Sequence, residues 1–193
     1  VTNIDDDIPG ISVSPTDTQT SEAGDTATVD LVLNTLPTSD VTITLGSDDT
    51  TEGAVGAASV TFTPANWNVP QIVTVTGQDD LIDDGDINYN LVIGPVSSGD
   101  SNYNGLNPSD VTLTNVDDDT AGVTATATDA QSDENGGTAT VELVLDAEPT
   151  GDVTVTVGSD NTSEGIADVT DLTFTAANWN VPQIVTVTGQ DDL

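Results

Sequence analysis

The sequence of 193 residues contains no lysine, arginine, histidine, cysteine or methionine, whereas 34 residues are aspartate or glutamate, so its formal net charge is −34. Without a cationic side chain nothing neutralises phosphate groups, which excludes nucleic-acid binding and attachment to anionic membranes as main functions. The missing residue types also exclude disulfides, thiolate or imidazole zinc sites and serine–histidine catalysis. Carboxylates, hydroxyls, amides and main-chain groups remain, and we expect no enzyme.

The chain does not have the composition of a disordered acidic segment. About a third of it is apolar (35%), and Val, Ile, Leu and Thr fall in short alternating runs that indicate β-strands. No apolar run approaches the ~20 residues of a membrane span, so we expect no membrane insertion. The sequence starts without Met or a signal-like segment, which predicts an interior piece of a longer secreted chain.

An internal repeat is the strongest pattern in the sequence. GDTATVDLVLNTLPTSDVTITLGSDDTTEG at 24–53 returns in closely similar form at 136–165, and ANWNVPQIVTVTGQDDL at 65–81 returns unchanged at 177–193. Both pairs are separated by 112 residues, and residues 1–81 match 113–193 at 50 of 81 positions without a gap. The pattern indicates a tandem duplication.

The repeat predicts the domain boundaries. Residues 1–7 are the tail of a preceding repeat, residues 8–119 are a complete repeat, and residues 120–193 are a second repeat without a counterpart of residues 82–112. We expect the chain to be a window of a longer array that continues with a sequence close to IDDGDINYNLVIG. The alternative is that strands from another molecule complete the second repeat by β-addition.

Seven period-two runs in the complete repeat predict an immunoglobulin-like antiparallel β-sandwich, in tandem copies. The predicted strands cover 11–17, 26–33, 40–46, 59–63, 70–76, 87–93 and 110–116. The predicted core contains Val29, Leu31, Leu33, Ile43, Leu45, Phe62, Ile72, Val73 and Val75.

The acidic residues are distributed unevenly over the predicted loops. Alternate connections of an antiparallel sandwich lie at opposite ends, so the strand order sorts the loop acids into two sets. One end receives thirteen acids: Glu22, Asp25, Asp48, Asp49, Glu52, Asp79, Asp80, Asp83, Asp84, Asp86, Asp117, Asp118 and Asp119. The other end receives Asp40, Asp100 and Asp110. A generic acidic surface that keeps the chain soluble is the alternative, but it predicts acids at both ends.

Crowded carboxylates without a protein cation require neutralisation. Two carboxylates ~4 Å apart repel by about 1 kcal/mol in water and by about 4 kcal/mol at an effective dielectric constant of 20. Ca²⁺ accepts six to eight oxygen ligands in a flexible geometry, whereas Mg²⁺ keeps its waters and requires a regular octahedron. The acidic end therefore predicts Ca²⁺ binding.

Three segments resemble the Calx-β repeat: SEAGDTATVDLVL at 21–33, VTFTPANWNVPQIVTVTGQDDLIDDGD at 60–86 and VTLTNVDDD at 111–119. The resemblance covers the first repeat from end to end and the second as far as it extends. It implies β-sandwiches that bind several Ca²⁺ ions at the loop end, as in the calcium-sensing domains of sodium/calcium exchangers and in repeats of large bacterial surface proteins.

The resemblance also implies the ligands. They are the glutamate after the first strand (Glu22, Glu134), the acids after the fifth strand (Asp79, Asp80, Asp84; Asp191, Asp192) and the terminal acidic run (Asp117, Asp118, Asp119; Asp5, Asp6, Asp7). The family's usual Asp-Tyr pair between the third and fourth strands is absent, and Asp48 and Asp160 are the candidates there.

Three functions are compatible with this pattern. The first is a structural segment of an extracellular bacterial adhesin stalk or surface filament, in which Ca²⁺ at the hinges between repeats stiffens the array. The partners are then neighbouring repeats or copies of the same protein. The others are a calcium sensor and a carbohydrate-binding module. The near-identical repeats and the lack of basic residues disfavour the calcium sensor.

Trp67 and Trp179, both in the sequence ANWN, carry the carbohydrate hypothesis through stacking on a sugar ring, although packing at one end of the sandwich is favoured. Tyr89 is expected to pack in its strand, and Tyr103 is expected to lie more openly in a long loop. Asn161-Thr162-Ser163 is a candidate site of glycan attachment.

Overall fold

The computed structural model describes residues 1–2, 4 and 6–191. They divide into two compact units, one formed by residues 1–80 and 84–118 and the other by residues 81–83 and the chain from 119 onward. All regular secondary structure of the described residues is β-strand, which confirms the all-β prediction. None of these residues forms a helix that is long and apolar enough to span a membrane.

Nine strands form the first unit, two more than expected. They are β1 (Ile11–Asp17), β2 (Gln19–Ser21), β3 (Thr26–Leu33), β4 (Val41–Ser47), β5 (Gly53–Val55), β6 (Ser59–Phe62), β7 (Gln71–Gly77), β8 (Ile87–Ser98) and β9 (Val111–Val116). The predicted strands agree within one residue except at the end of β8, which extends five residues further. The three-residue strands β2 and β5 are too short to give an alternating pattern.

Two sheets face each other across one core. The order in one is β1-β3-β7-β5, and in the other it is β2-β9-β8-β4-β6. All pairings are antiparallel except that of β2 with β9, which is parallel. The register of β1 on β3 shifts between Pro15 and Asp17, where proline has no N–H for the ladder. The chain then crosses to the other sheet as β2.

The core follows the alternation of the strands. Eight of the nine predicted core residues are buried, and side chains of β8 and β9 such as Leu91, Ile93 and Leu113 complete the cluster. Ile72 was expected there, and that prediction is wrong because its side chain is 67% exposed. It follows Gln71 on β7 and precedes Val73, which is buried, and neighbouring residues of a strand point to opposite faces.

The prediction for Tyr103 is also wrong, whereas that for Tyr89 is confirmed. Both side chains are buried, at 1% and 2% exposure. The hydroxyl of Tyr103 accepts a hydrogen bond from the Thr35 amide (3.0 Å) and donates one to the Thr35 carbonyl (2.7 Å). The long β8–β9 loop therefore closes one end of the core.

The described residues of the second unit repeat part of this arrangement. They form β10 (Val123–Asp129), β11 (Thr138–Leu145), β12 (Val153–Thr156), β13 (Gly165–Ala167), β14 (Asp171–Phe174) and β15 (Gln183–Gly189). The order β10-β11-β15-β13 corresponds to one sheet of the first unit, and the other sheet consists of β12 and β14. A smaller core contains Leu143, Leu145, Leu172, Phe174 and Val185.

The two tryptophans are packing residues in the structure. Trp67 and Trp179 are half-buried and lie against the cores of their units. Their carbonyl oxygens accept hydrogen bonds of 3.1 Å from the amides of Leu33 and Leu145. The ANWN turns thus anchor the ends of β3 and β11.

Removing the Tyr103 hydroxyl tests its role in the closing loop. We expect Tyr103→Phe to lower the stability of the first unit by about 1–2 kcal/mol, because the Thr35 amide loses its partner. Urea denaturation of the full chain, followed as the first unit's transition, measures this loss. Ile72→Thr is the control and leaves the transition nearly unchanged; an equal effect of the two substitutions would contradict the assignment.

Candidate metal centre

Three carboxylates converge at the predicted acidic end of the first unit. Glu52 immediately precedes β5, Asp80 follows β7, and Asp84 lies between β7 and β8. One carboxylate oxygen of each lies within 4.8 Å of the others. Although Glu52 comes from one connection and Asp80 and Asp84 from another, the strand order places all three at the same end of the sheets.

Glu52 is the buried member of this group, with 8% of its surface exposed. Burial raises the pKa of its carboxyl, a hydrogen bond from Asn115 opposes that shift, and the charges of Asp84, Asp49 and Asp80 raise the pKa further. The chain has no cationic side chain to offset this negative charge. The ionised state of Glu52 is therefore the electrostatically costly state of the site.

Asn115 is the hydrogen-bond donor to the Glu52 carboxylate, and its own side chain is buried at 2% exposure. Its amide nitrogen donates to Glu52 Oε2 (3.2 Å) and to the carbonyl of Gln78 (2.9 Å). Its amide oxygen accepts a hydrogen bond from the Thr20 hydroxyl (3.0 Å), which lies 3.0 Å from the Tyr89 hydroxyl. This network of β2, β8 and β9 fixes the inner wall of the site.

Gly53 explains why this wall is closely packed. A β-carbon at this position would overlap the ring of Tyr89, so the chain passes directly over the aromatic face. The glycine lets β5 approach β8 and brings the preceding Glu52 over Asn115.

Glu22 and Asp118 form the second acidic group of the first unit, with one carboxylate oxygen of each within 4.8 Å of the other. Glu22 follows β2 and is buried at 6% exposure, and its Oε2 accepts a hydrogen bond from the amide of Asp118 (3.2 Å). Asp118 and Asp119 follow β9. The predicted pairing of the glutamate after the first strand with the terminal acidic run thus occurs in the first unit.

Other predicted ligands have different surroundings. The carboxylate of Asp48 accepts hydrogen bonds from the amide (2.6 Å) and side chain (2.8 Å) of Asn90, and these bonds lower its pKa. Asp117 accepts a hydrogen bond of 2.6 Å from the amide of Gly85. Asp79, Asp6 and Asp7 belong to neither group, and Asp5 lies outside the described residues.

The second unit brings fewer of its predicted ligands together. Glu134, Asp160 and Asp191 are exposed, and Asp192 lies outside the described residues. From Asp119 to Asp191, the described part of the chain contains no group of three acids drawn from the second unit alone. Glu164, which corresponds to Glu52, is exposed. The reason is that the wall over which Glu52 lies comes from β8 and β9, which have no counterpart in the described second unit.

Asn161, the candidate glycan acceptor, is exposed. Its side-chain oxygen accepts hydrogen bonds from the amide (3.2 Å) and hydroxyl (2.7 Å) of Ser163. The sequon therefore forms a tight surface turn.

Sequence reasoning placed Glu52 at the acidic end but did not select it as a ligand. The available signal is the Glu-Gly pair at 52–53, which returns at 164–165. The role of the pair depends on the burial of Glu52 and on the contact of Gly53 with Tyr89. Both result from the packing of β5 against β8.

The donor set suits a hard divalent cation. Both groups consist of carboxylates alone, and the chain offers neither thiolate nor imidazole for softer metals. Glu52, Asp80 and Asp84 would hold the cation in one group, and Glu22 and Asp118 in the other. Ca²⁺ fits this set because it tolerates irregular geometry and completes its shell with carbonyls and water.

The comparisons with known proteins give fold likeness alone. No protein-family model and no curated protein sequence matches the chain. Solved structures that match include the YadV chaperone, with 12% identity, a TM-score of 0.39 and coverage of 95% of this chain and 87% of that one. Another is the CsuC–CsuE chaperone–tip adhesion subunit complex from Acinetobacter baumannii, with 9% identity, a TM-score of 0.40 and coverage of 95% and 89%.

A third match is domains 4–9 of the surface layer protein SbsC, with 12% identity, a TM-score of 0.29 and coverage of 95% of this chain and 27% of that one. With identities of 9 to 12%, the function has to be argued from the residues of this chain.

The raised pKa of Glu52 predicts how stability depends on pH without divalent ions. The native state holds the Glu52 proton to a higher pH than the unfolded chain, so this group lowers stability as pH rises above about 4.5. We expect Glu52→Gln to raise the first unit's unfolding midpoint at pH 7 in EDTA by a few degrees. The gain disappears near pH 4.

Asp40→Asn, which removes one charge at the opposite end, is the matched control for thermal unfolding at both pH values. An equal gain from the two substitutions would show that total charge, rather than the setting of Glu52, determines the effect.

Proposed function

We propose that this chain is a structural tandem-repeat segment of an extracellular bacterial surface protein, such as an adhesin stalk or filament, that Ca²⁺ stiffens. In this proposal the two units are successive immunoglobulin-like sandwiches of the Calx-β type. The observation that carries it is the buried carboxylate of Glu52, which lies with Asp80 and Asp84 in a chain without a cationic side chain.

Electrostatics supports a bound cation at this place. Like charges at these separations repel by about 1 kcal/mol in water and several times more where water is excluded. The polar donor beneath Glu52 is the neutral amide of Asn115, which orients the carboxylate but carries no compensating charge. A divalent ion supplies that charge, so that the repulsion between the carboxylates is replaced by their attraction to the ion.

The identity of the ion follows from the donors and the compartment. Three carboxylates from two connections offer an irregular set of oxygens, which suits Ca²⁺ better than Mg²⁺. Extracellular calcium modules bind at about 10⁻⁴–10⁻³ M, and an ion present at 100 times its Kd stabilises the folded state by ~2.7 kcal/mol. That gain is large relative to the total stability of a domain of this size.

The proposed stiffening of the chain follows from the segments that ions bound to the two acidic groups would connect. An ion on Glu52, Asp80 and Asp84 ties the start of β5 to the segment between β7 and β8. An ion on Glu22 and Asp118 ties the segment after β9 to the end of β2. Asp118 is the last residue of the first unit, so this second ion restrains the chain where it leaves the unit.

The same features bear on the alternatives. A rod-like spacer requires solubility and repetition, which the charge of −34 and the close repeat provide. The carbohydrate hypothesis depended on free tryptophan faces, whereas both tryptophans pack against the cores. We place the protein at the cell surface, with neighbouring repeats or further copies of the protein as its partners.

Thermal unfolding of the full chain in EDTA, millimolar Mg²⁺ and millimolar Ca²⁺ tests calcium binding. We expect Ca²⁺ to raise the first unit's midpoint by roughly 5–15 °C, as a gain of ~2.7 kcal/mol implies, and Mg²⁺ to raise it much less. Asp84→Asn removes the part of the response that depends on the Glu52 group, and Asp40→Asn retains the whole response. Equal shifts of the midpoint by Ca²⁺ and Mg²⁺, or no shift by either ion, would contradict calcium binding. The acidic end would then be assigned a role in solubility.

The stiffening step has its own test. We expect Ca²⁺ to slow amide hydrogen exchange in residues 117–121 at least tenfold in the wild-type chain, because the second group then holds this segment. In Asp118→Asn the slowing is lost there but retained near Asp80. Slowing near Asp80 alone in the wild-type chain would support binding and contradict stiffening.

A further inference from the structure

Asparagine followed by glycine occurs twice in the sequence, at Asn104-Gly105 and at Asn135-Gly136. In such a pair the glycine nitrogen can attack the side-chain carbonyl carbon of the asparagine, because glycine has no β-carbon to hinder the approach. Asparagine is accordingly a thermolabile residue. All four residues are exposed, so access of water does not distinguish the two pairs.

The first pair is held by hydrogen bonds to β8. The side-chain oxygen of Asn104 accepts a hydrogen bond from the Ser98 amide (3.2 Å), and the Gly105 amide donates one to the Val96 carbonyl (2.9 Å). The preceding Tyr103 is buried at 1% exposure. A reaction between Asn104 and Gly105 must therefore break both hydrogen bonds and move the chain beside a core residue.

The second pair lies in the short turn between β10 and β11, where the asparagine side chain is not held. Among the described residues, the Asn135 side chain has no hydrogen-bond partner. The amides of Asn135 and Gly137 donate to Asp133 Oδ1 (2.9 Å each). The Gly136 amide donates to the Asp133 carbonyl (3.1 Å). Only hydrogen bonds within the turn therefore oppose the movement that the reaction requires.

The first unit contains the same turn with a different residue. At an offset of 112 residues, Ala23-Gly24 corresponds to Asn135-Gly136, and both residues are exposed. The Gly24 amide donates to the Ser21 carbonyl (2.9 Å), and the φ angles of Gly24 and Gly136 are 87° and 85°. Because β8 and β9 are present in the first unit, this open turn is a property of the repeat and does not depend on the strands that follow.

We propose that Asn135 is a site of spontaneous modification in the folded protein, at which the side-chain amide is converted to a carboxylate. The Gly136 nitrogen attacks Cγ of Asn135, so that a nitrogen–carbon bond forms and the bond from Cγ to Nδ2 breaks. The amide proton of Gly136 leaves with Nδ2 as ammonia. Water then opens the cyclic imide at one of its two carbonyl carbons, which gives aspartate or isoaspartate.

The modification changes the turn in two ways and requires no calcium. Both products add a negative charge next to Glu134, in a molecule whose net charge is already −34. Isoaspartate also adds a carbon to the main chain, which displaces the Gly137 amide from Asp133 Oδ1. The first unit has alanine at the corresponding position, so the two repeats diverge in charge with time.

Incubation of the full chain in mildly alkaline buffer with EDTA, followed by peptic digestion and mass spectrometry, tests the proposal. Fragmentation of the peptides assigns each modified asparagine, and enzymatic methylation detects isoaspartate. We expect Asn135 to react at least tenfold faster than Asn104 in the folded chain. In urea, where neither pair is held, we expect the two rates to agree within about twofold.

Two variants exchange the residues of the corresponding turns. Asn135→Ala removes the reaction from the second unit, because it introduces the residue of the first. Ala23→Asn introduces the reaction into the first unit, at a rate within about threefold of that at Asn135. Circular dichroism of both variants establishes that they remain folded.

Three results would overturn the proposal. They are equal rates at Asn135 and Asn104 in the folded chain, reaction of Asn135 in urea but not in the folded chain, and no reaction at position 23 of Ala23→Asn. The last result would show that the turn shared by the two repeats does not permit the reaction.

Discussion

The burial of Glu52 beside two aspartates, without any cationic side chain in the protein, is the constraint that connects the other features of this chain. A carboxylate in this position is destabilising when ionised, and the side chain that donates a hydrogen bond to it is the neutral amide of Asn115. The fold therefore provides a site whose charge must be balanced from solution. In the proposed function, Ca²⁺ supplies that balance and couples the rigidity of the chain to the calcium concentration of the medium.

The strands β8 and β9 serve two purposes in the same unit. Their apolar side chains close the core, and Tyr89 and Asn115 form the wall that supports Glu52. The second unit shows the two contributions separately, because its described strands form a small core without β8 and β9. Glu164, the counterpart of Glu52, lies exposed there. Core closure and assembly of the acidic site thus depend on one hairpin.

Much of the fold could be predicted from the sequence, since period-two alternation and turn residues determine where strands begin and end. Strand parity also predicted which end carries the acids. Alternation cannot decide between adjacent apolar residues, which is why Ile72 was assigned to the core although its neighbour Val73 occupies that face. Tyr103 was misassigned because a loop sequence does not reveal the Thr35 backbone groups that receive its hydroxyl.

The site could be predicted less completely. Local sequence identifies carboxylates but not their partners, so Asp48, which Asn90 binds, was not distinguishable from Asp80. Glu52 acquires its role only through the packing of Gly53 on Tyr89 and the approach of Asn115 from β9. Such residues lie more than 35 positions apart in the sequence, and only the folded chain brings them together.

Calorimetric titration of metal-free full chain with CaCl₂ tests the central claim most directly, with Glu52→Gln and Asp40→Asn titrated alongside it. The account predicts Ca²⁺ binding with millimolar or tighter affinity that loses one class of sites in Glu52→Gln and is unchanged in Asp40→Asn. Equal binding curves for the three proteins, or no binding by the unmodified chain, would contradict the account.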